Sequence, residues 1–208
     1  MLKHLIMWQL KAHFTPDERQ SVRQSLKQQL AALRTLYPGI KDYAVFTAAQ
    51  PTGNYDVLLE AVFDTDETFP AFQHDPIHLQ VAHYIQSVVQ SKACVDFYCQ
   101  PNCQGGSPMI RHIVAWRFYD TLSACERQTA AAKLKQDIEA LQEQIEGVVS
   151  LAVTIDALPT SNRDILLDST FVSAEALAAY QVNPLHQAVG QYLSTVAGDR
   201  ACIDFEIR

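Results

Sequence analysis

Between residues 3 and 10 the side chains alternate as in a strand with both faces covered. His4, Ile6, Trp8 and Leu10 point one way, and Leu5, Met7 and Gln9 the other. Both sets are largely apolar, so neither face is expected to meet water. The period then changes. Thr15-Pro16-Asp17-Glu18 has the layout of a capping box with proline in the first turn, and Val22, Leu26, Leu30, Leu33 and Leu36 recur at helical spacing. Gly39 reads as the stop signal of that helix. Strands over 41–49 and 56–63 flank the turn-rich Gln50-Pro51-Thr52-Gly53-Asn54. A short helix over 66–73 follows, then a helix opened by Asp75-Pro76 and running to Val89, then a strand over 93–98.

The same order returns 108 residues later, without a gap. Of the first 98 positions, 34 carry the same residue in both copies, where chance gives about one match in fifteen. Met109–Phe118 restates Met1–Leu10, including His4/His112 and Trp8/Trp116. Ser123–Glu126 restates the capping box, and Ala130, Leu134, Ile138, Leu141 and Ile145 restate the stripe before Gly147. Strands over 149–157 and 164–171, helices over 174–181 and 184–196 (the second opened by Asn183-Pro184) and a strand over 201–207 complete the second copy. The expected division is a first domain 1–99, a linker 100–108 rich in Pro, Asn, Gly and Ser, and a second domain 109–208.

Each copy therefore reads β-α-β-β-α(α)-β, the order of a ferredoxin-like α+β domain whose four-stranded antiparallel sheet carries helices on one face. A sheet that is apolar on both faces needs a second cover. The Leu5/Met7 face and its counterpart Ile113/Ala115 are expected to cover each other, closing the two sheets into an intramolecular barrel-like core.

Composition adds exclusions. The chain is 48% hydrophobic and 19% charged, ordinary values for a globular protein, with no apolar run long enough for a membrane span. The net charge of −7 and the lack of a basic patch argue against nucleic acid as a partner. Residues 1–4 lead straight into a strand with no signal-peptide layout, so a cytoplasmic location is expected. Five cysteines, with no pair of CxxC motifs, give no structural zinc signature. Cys94 and Cys202 read as buried free thiols, while Cys99 precedes the linker and Cys103 lies within it.

His112 and His186 are the second copy's only histidines, and both stand at repeat positions, matching His4 and His78. Two readings stay open. They line a pocket between sheet and helices with Tyr180 beside them, where an imidazole next to a phenol takes a proton from a carbon acid. Or each ties the last helix to the sheet. Trp8 and Trp116 are core or pocket wall. Asp56 and Asp164 begin a strand and suit a turn or cap. Glu60 and Asp168 fall mid-strand, where an unpaired buried carboxylate is costly; an edge, Arg117, or a polar spot in the barrel would accommodate them. No metal-ligand spacing and no cofactor motif is present.

One combination of motifs is specific as a set. Lys3-His4 on the first strand, Tyr37-Pro38-Gly39, Tyr55-Asp56, Phe63, His74-x-Pro76-x-His78 and Val95-Asp96-Phe97 together resemble the stress-responsive dimeric α/β-barrel (Dabb) family, twice over. The second copy departs at Glu146-Gly147, Arg163-Asp164 and Val182. The resemblance implies a homodimer-like barrel, here with the partners fused, and little about a reaction. A plant polyketide cyclase of similar kind uses a strand His, and a Tyr and a His near the start of the last helix. His112, Tyr180 and His186 match those positions; in the first copy His4 and His78 match and Phe72 replaces Tyr. A further strand His of that cyclase is met only by Val57 and Ile165. The expectation is a small apolar ligand in a sheet–helix pocket lined by His4, His78, Phe72, Trp8 and Trp116. The alternative is a cofactor-independent enzyme, cyclase-like or monooxygenase-like, acting through His112, His186 and Tyr180.

Overall fold

The computed structural model describes residues 1–65, 67–99 and 109–207. The first copy comprises β1 (Leu2–Leu10), α1 (Pro16–Arg34), β2 (Ile40–Phe46), β3 (Val57–Phe63), α2 (Thr68–His74), α3 (Pro76–Val88) and β4 (Val89–Tyr98). The second repeats it as β5 (Met109–Phe118), α4 (Ala124–Ala140), β6 (Val148–Thr154), β7 (Ile165–Phe171), α5 (Ala174–Val182), α6 (Pro184–Val196) and β8 (Ala197–Ile207), with a 3₁₀ turn at Leu141–Glu143. The expected linker 100–108, with Cys103, lies outside the described residues.

The helix starts follow their local chemistry. Thr15 and Ser123 accept from the amides of Glu18 and Glu126, whose carboxylates return the bond to the cap amides. Asp75 and Asn183 cap α3 and α6 through Ile77 N and Leu185 N, with proline in the first turn.

Two expectations are corrected here. Gly39 does not end α1, which stops at Arg34 with Thr35 as its C-cap. Gly39 instead lets the chain pass under α2, where an added Cβ would meet Thr68 Cγ2 at 2.6 Å. Gly147 combines a close approach to Ala176 with a φ of +85° that side chains rarely adopt. The last strands also begin earlier than expected, at Val89 and Ala197. Gln90-Ser91-Lys92 and Gly198-Asp199-Arg200 are too polar to look like strand, but Ser91 and Lys92 pair with β1 and Gly198 with β5, beside register shifts that pass over Gln90, Asp199 and Arg200.

Each sheet is antiparallel, in the order β2-β3-β1-β4 and β6-β7-β5-β8. One face of each packs on its own helices: Ile6, Trp8 and Leu10 meet Leu26, Leu30 and Leu33, as Val114, Trp116 and Phe118 meet Leu134, Ile138 and Leu141. The other faces meet each other. Leu5, Met7, Leu58, Ala93 and Val95 of the first copy form one core with Ile113, Ala115, Leu166, Ala201, Ile203 and Phe205 of the second.

The two ladders remain separate sheets, so the expected closed barrel is corrected to a face-to-face sandwich. Loops seal its seams. The β2–β3 loop lies along β8, where the amides of Asn54 and Tyr55 both donate to Cys202 O. The β6–β7 loop lies along β4, where Asn162 N donates to Cys94 O. Side chains extend this pairing: Asn54 accepts from Cys202 N and donates to Arg200 O, while Asn162 accepts from Cys94 N and donates to Lys92 O. Loop groups thus bond to backbone that edge strands would otherwise leave unpaired.

Glu60 and Asp168 sit between the sheets and do not meet Arg117, which pairs with Asp120. They share Arg111. Its guanidinium contacts Glu60 at 2.6 and 2.7 Å and Asp168 at 2.7 and 2.5 Å, and Lys3 reaches Glu60 at 2.9 Å. Asp56 accepts from Leu10 N and from Arg19 and Arg23, and Asp164 accepts from Phe118 N.

Candidate functional site

The strand histidines face the helices, and register places an aspartate beside each. His4 stands opposite Asp96 on β4, and His112 opposite Asp204 on β8. Directly opposed residues share a sheet face. Accordingly His4 Nδ1 and Asp96 Oδ1 are 2.5 Å apart, as are His112 Nδ1 and Asp204 Oδ1, and all four side chains are buried. Burial alone would raise these carboxyls. The hydrogen bond and charge of the histidine, with a hydroxyl bond, hold both below the usual range. An ionised carboxylate only accepts, so Nδ1 carries a proton; Nε2 is the acceptor in the neutral imidazole and a second donor in the imidazolium.

The hydroxyl comes from the other copy. Thr160 Oγ1 donates to Asp96, and Thr52 Oγ1 donates to Asp204. Ser161 Oγ also accepts from Asp96 N. Each His–Asp pair is thus fixed by the loop that seals the seam, so neither copy completes its site alone.

The second histidine stands at the start of the last helix. His78 Nδ1 donates to Gln73 O, and His186 Nδ1 to Gln181 O, each at 3.2 Å. A carbonyl only accepts, so Nε2 is again the free atom. Burial pushes both imidazoles below their ordinary value, and the neighbouring strand histidine adds to this. His78 packs on Phe72 and His186 on Tyr180, with the same 4.4 Å between ring centroids.

Two cavities result, one per copy, each between a sheet and its helices. The first, of about 270 Å³, is lined by His4, Trp8, Phe72 and His78 among apolar side chains. The second, of about 290 Å³, is lined by His112, Trp116, Tyr180 and His186. Ordinary small-molecule sites run from roughly 300 to 1,000 Å³, so these suit compact ligands. The structure thus brings together all the residues singled out from sequence, four in each cavity. Trp8 and Trp116 are at once core and wall. The second cavity carries the hydroxyl of Tyr180, whose ionisation burial pushes up to about 12, where the first has Phe72; the first is also lined by Gln86 and, from the other copy, Thr160 and Asn162. Of the remaining first-copy histidines, His74 caps the carbonyl of Pro70 and is exposed, as is His83.

Sequence reading passed over Asp96, Asp204, Thr52, Thr160, Asn54 and Asn162. A signal was there: Pro-Thr-x-Asn and Cys-x-Asp recur unchanged in both copies.

In each copy Cys94 or Cys202 joins the His–Asp pair, with ligand-type atoms of the three residues within 4.8 Å of one another. A metal would need a thiolate and a free imidazole nitrogen. Burial pushes both thiols up, Cys202 to about 12, and Nδ1 already donates to the aspartate. The trio fits a hydrogen-bonded cluster better than a metal centre.

Fold and cavities together define a ferredoxin-like tandem in which two α+β units share a sheet-to-sheet core. The chain belongs to the stress responsive A/B barrel domain family, whose model matches residues 2–99 and again 110–207. No curated protein matches the sequence. A dimeric protein of unknown function and ferredoxin-like fold from Bacteroides fragilis is 29% identical, over 48% of this chain and 96% of its own, with a TM-score of 0.46. A dimeric ferredoxin-like protein of unknown function from Thermobifida fusca is 22% identical, over 52% of this chain and all of its own, with a TM-score of 0.43. An anthrone oxidase-like protein resembles the whole chain and 91% of its own length, at 12% identity and a TM-score of 0.72. That likeness extends the shared fold to the full two-domain arrangement. Among the described residues no helix is long and apolar enough to cross a membrane.

Proposed function

We propose that this protein binds a compact apolar molecule bearing a hydroxyl in its sheet–helix cavities. The observation that carries this reading is the pair of imidazoles in each cavity, both with Nδ1 engaged as donor, so that in the neutral form each offers Nε2 as acceptor. Two acceptors on an apolar wall favour a ligand that supplies a donor, because an unmatched polar group in such a wall is costly.

A second reading is favoured by one specific feature. In the second copy His112, bonded to Asp204, lines one cavity with Tyr180 and His186. There an Nε2 stands ready to take a proton from a phenol, enol or carbon acid, Asp204 steadies the imidazolium, and Tyr180 donates to the oxygen that gains charge. That is cofactor-independent chemistry of cyclase or monooxygenase type, and the name of the anthrone oxidase-like neighbour is compatible with it. Phe72 lacks the donor, so chemistry of this kind belongs to the second copy.

The test is mass spectrometry of small molecules released on denaturing the purified protein, repeated for His78→Ala and His186→Ala. A hydroxylated apolar molecule retained by the parent, and reduced in each variant, supports binding. Loss of retention in neither variant, with the fold intact, returns the histidines to a purely structural role. Where a retained molecule is transformed on incubation, abolition by Tyr180→Phe and by His112→Ala supports the enzyme reading.

A further inference from the structure

We propose that the ligand of each cavity is an acid, whose anionic group is held at the mouth by Lys92 in the first copy and Arg200 in the second. This rests on the binding reading above and adds the ligand's charge to it. Lys92 and Arg200 are repeat equivalents, and each lines its own cavity. Both are exposed, so their charge is presented where a ligand enters. Among the described residues neither side chain meets a carboxylate, although most other arginines here do: Arg19, Arg23, Arg111, Arg117, Arg127 and Arg163.

The walls have no counter-charge either. Among the described residues no aspartate or glutamate lines either cavity, and Asp96 and Asp204 are engaged by a histidine and a threonine. Arg200 lies close to His186: after burial and the neighbouring His112, its charge is a further cause of that imidazole's lowered value. The backbone of both cations is pinned by the opposite copy, Lys92 O by Asn162 Nδ2 and Arg200 O by Asn54 Nδ2. The cation is thus anchored at its root; the Arg200 guanidinium also reaches the Cys202 thiol, and neither cation has an anionic partner among the described residues. A cavity with apolar walls, a neutral imidazole and one unopposed cation at its mouth matches an aromatic or alicyclic carboxylate of one or two rings.

Isothermal calorimetry with 6-hydroxy-2-naphthoate and its neutral counterpart 6-hydroxy-2-naphthamide, both of which carry the hydroxyl donor, tests this on the full chain at neutral pH. The expected result is about a three- to tenfold preference for naphthoate, the size suited to one partly solvated cation. The preference should shrink as salt rises. The double variant Lys92→Gln/Arg200→Gln should lose it, the two probes then binding alike. Gly190→Phe, which fills the second cavity, should halve the stoichiometry. If both probes bind equally, or the double variant keeps the preference, the charge inference is overturned and the cavity reading stands. If neither probe binds, both fall.

Discussion

Arg111 of the second copy grips Glu60 of the first through two parallel hydrogen bonds, 2.6 and 2.7 Å long, and both side chains are buried between the sheets. The same guanidinium holds Asp168 of its own copy, and Lys3 holds Glu60 from the other side. Removing one member strands a buried charge. Glu60→Ala should cost about 3 kcal/mol, near the low end for a broken buried pair because Asp168 remains. The joint replacement Glu60→Leu/Arg111→Met should recover most of that. Urea unfolding midpoints of the two variants check it; equal losses would show that burial, not pairing, sets the cost.

The same network predicts an acid limb of stability. Burial opposes ionisation of Glu60, but Arg111 and Lys3 lower its value from 4.5 to about 2. A folded value below the unfolded one stabilises above the unfolded value and is lost as the pH falls. Glu60 should therefore contribute fully above 4.5 and cease to contribute as the pH drops through about 2. The lowered Asp96 and Asp204 act in the same direction below 3.8. An acid titration followed by circular dichroism should show Glu60→Gln flattening this limb.

His78 and His186 predict a second slope, nearer neutrality. Burial lowers both from 6.5, so below that value the unfolded chain binds more protons and stability falls with falling pH. Replacing both by Gln should remove the slope that sets in as the pH falls below 6.5 and leave the acid limb in place. Unfolding midpoints across that range decide it.

Thr52 and Thr160 reach across the copies, so their loss should be felt in the other half. Thr52→Val should cost about 1.5–3 kcal/mol, the value of a hydrogen bond to a charged group. It should also move the imidazole resonances of His112 while those of His4 stay put. Thr160→Val should do the reverse. A shift at the histidine of the same copy instead would contradict the crossed wiring.

Gly190 and Gly147 should respond in opposite senses to alanine. A Cβ at Gly190, within α6, meets nothing within 4 Å. Gly190→Ala should therefore gain about 0.5–1 kcal/mol from helix propensity. At Gly147 the added atom lies 2.7 Å from Ala176 Cβ, at a φ of +85°. Gly147→Ala should lose about 1–3 kcal/mol. Thermal melting of both variants gives the signs.

Much of this architecture was legible in the chain. The 108-residue repeat, the capping boxes at Thr15 and Ser123 and the Asp75-Pro76 and Asn183-Pro184 starts depend on neighbours in sequence, so local chemistry determines them. The doubly apolar β1 and β5 likewise required a second cover, since water on either face would be costly. The four histidines could be singled out by their survival in both copies. Their chemistry could not. The free Nε2 follows from Asp96 and Asp204, each 92 residues from its histidine, and from Thr160 and Thr52, each on the opposite copy. Arg111 rather than Arg117 meets Glu60 for the same reason: sheet-to-sheet register, set by packing around Phe205 and Ile113, selects among charges that look equivalent in sequence. Local pattern determined which elements form and which faces are buried. Only long-range pairing decided which polar groups share a cavity, because a partner distant along the chain has no imprint on local periodicity.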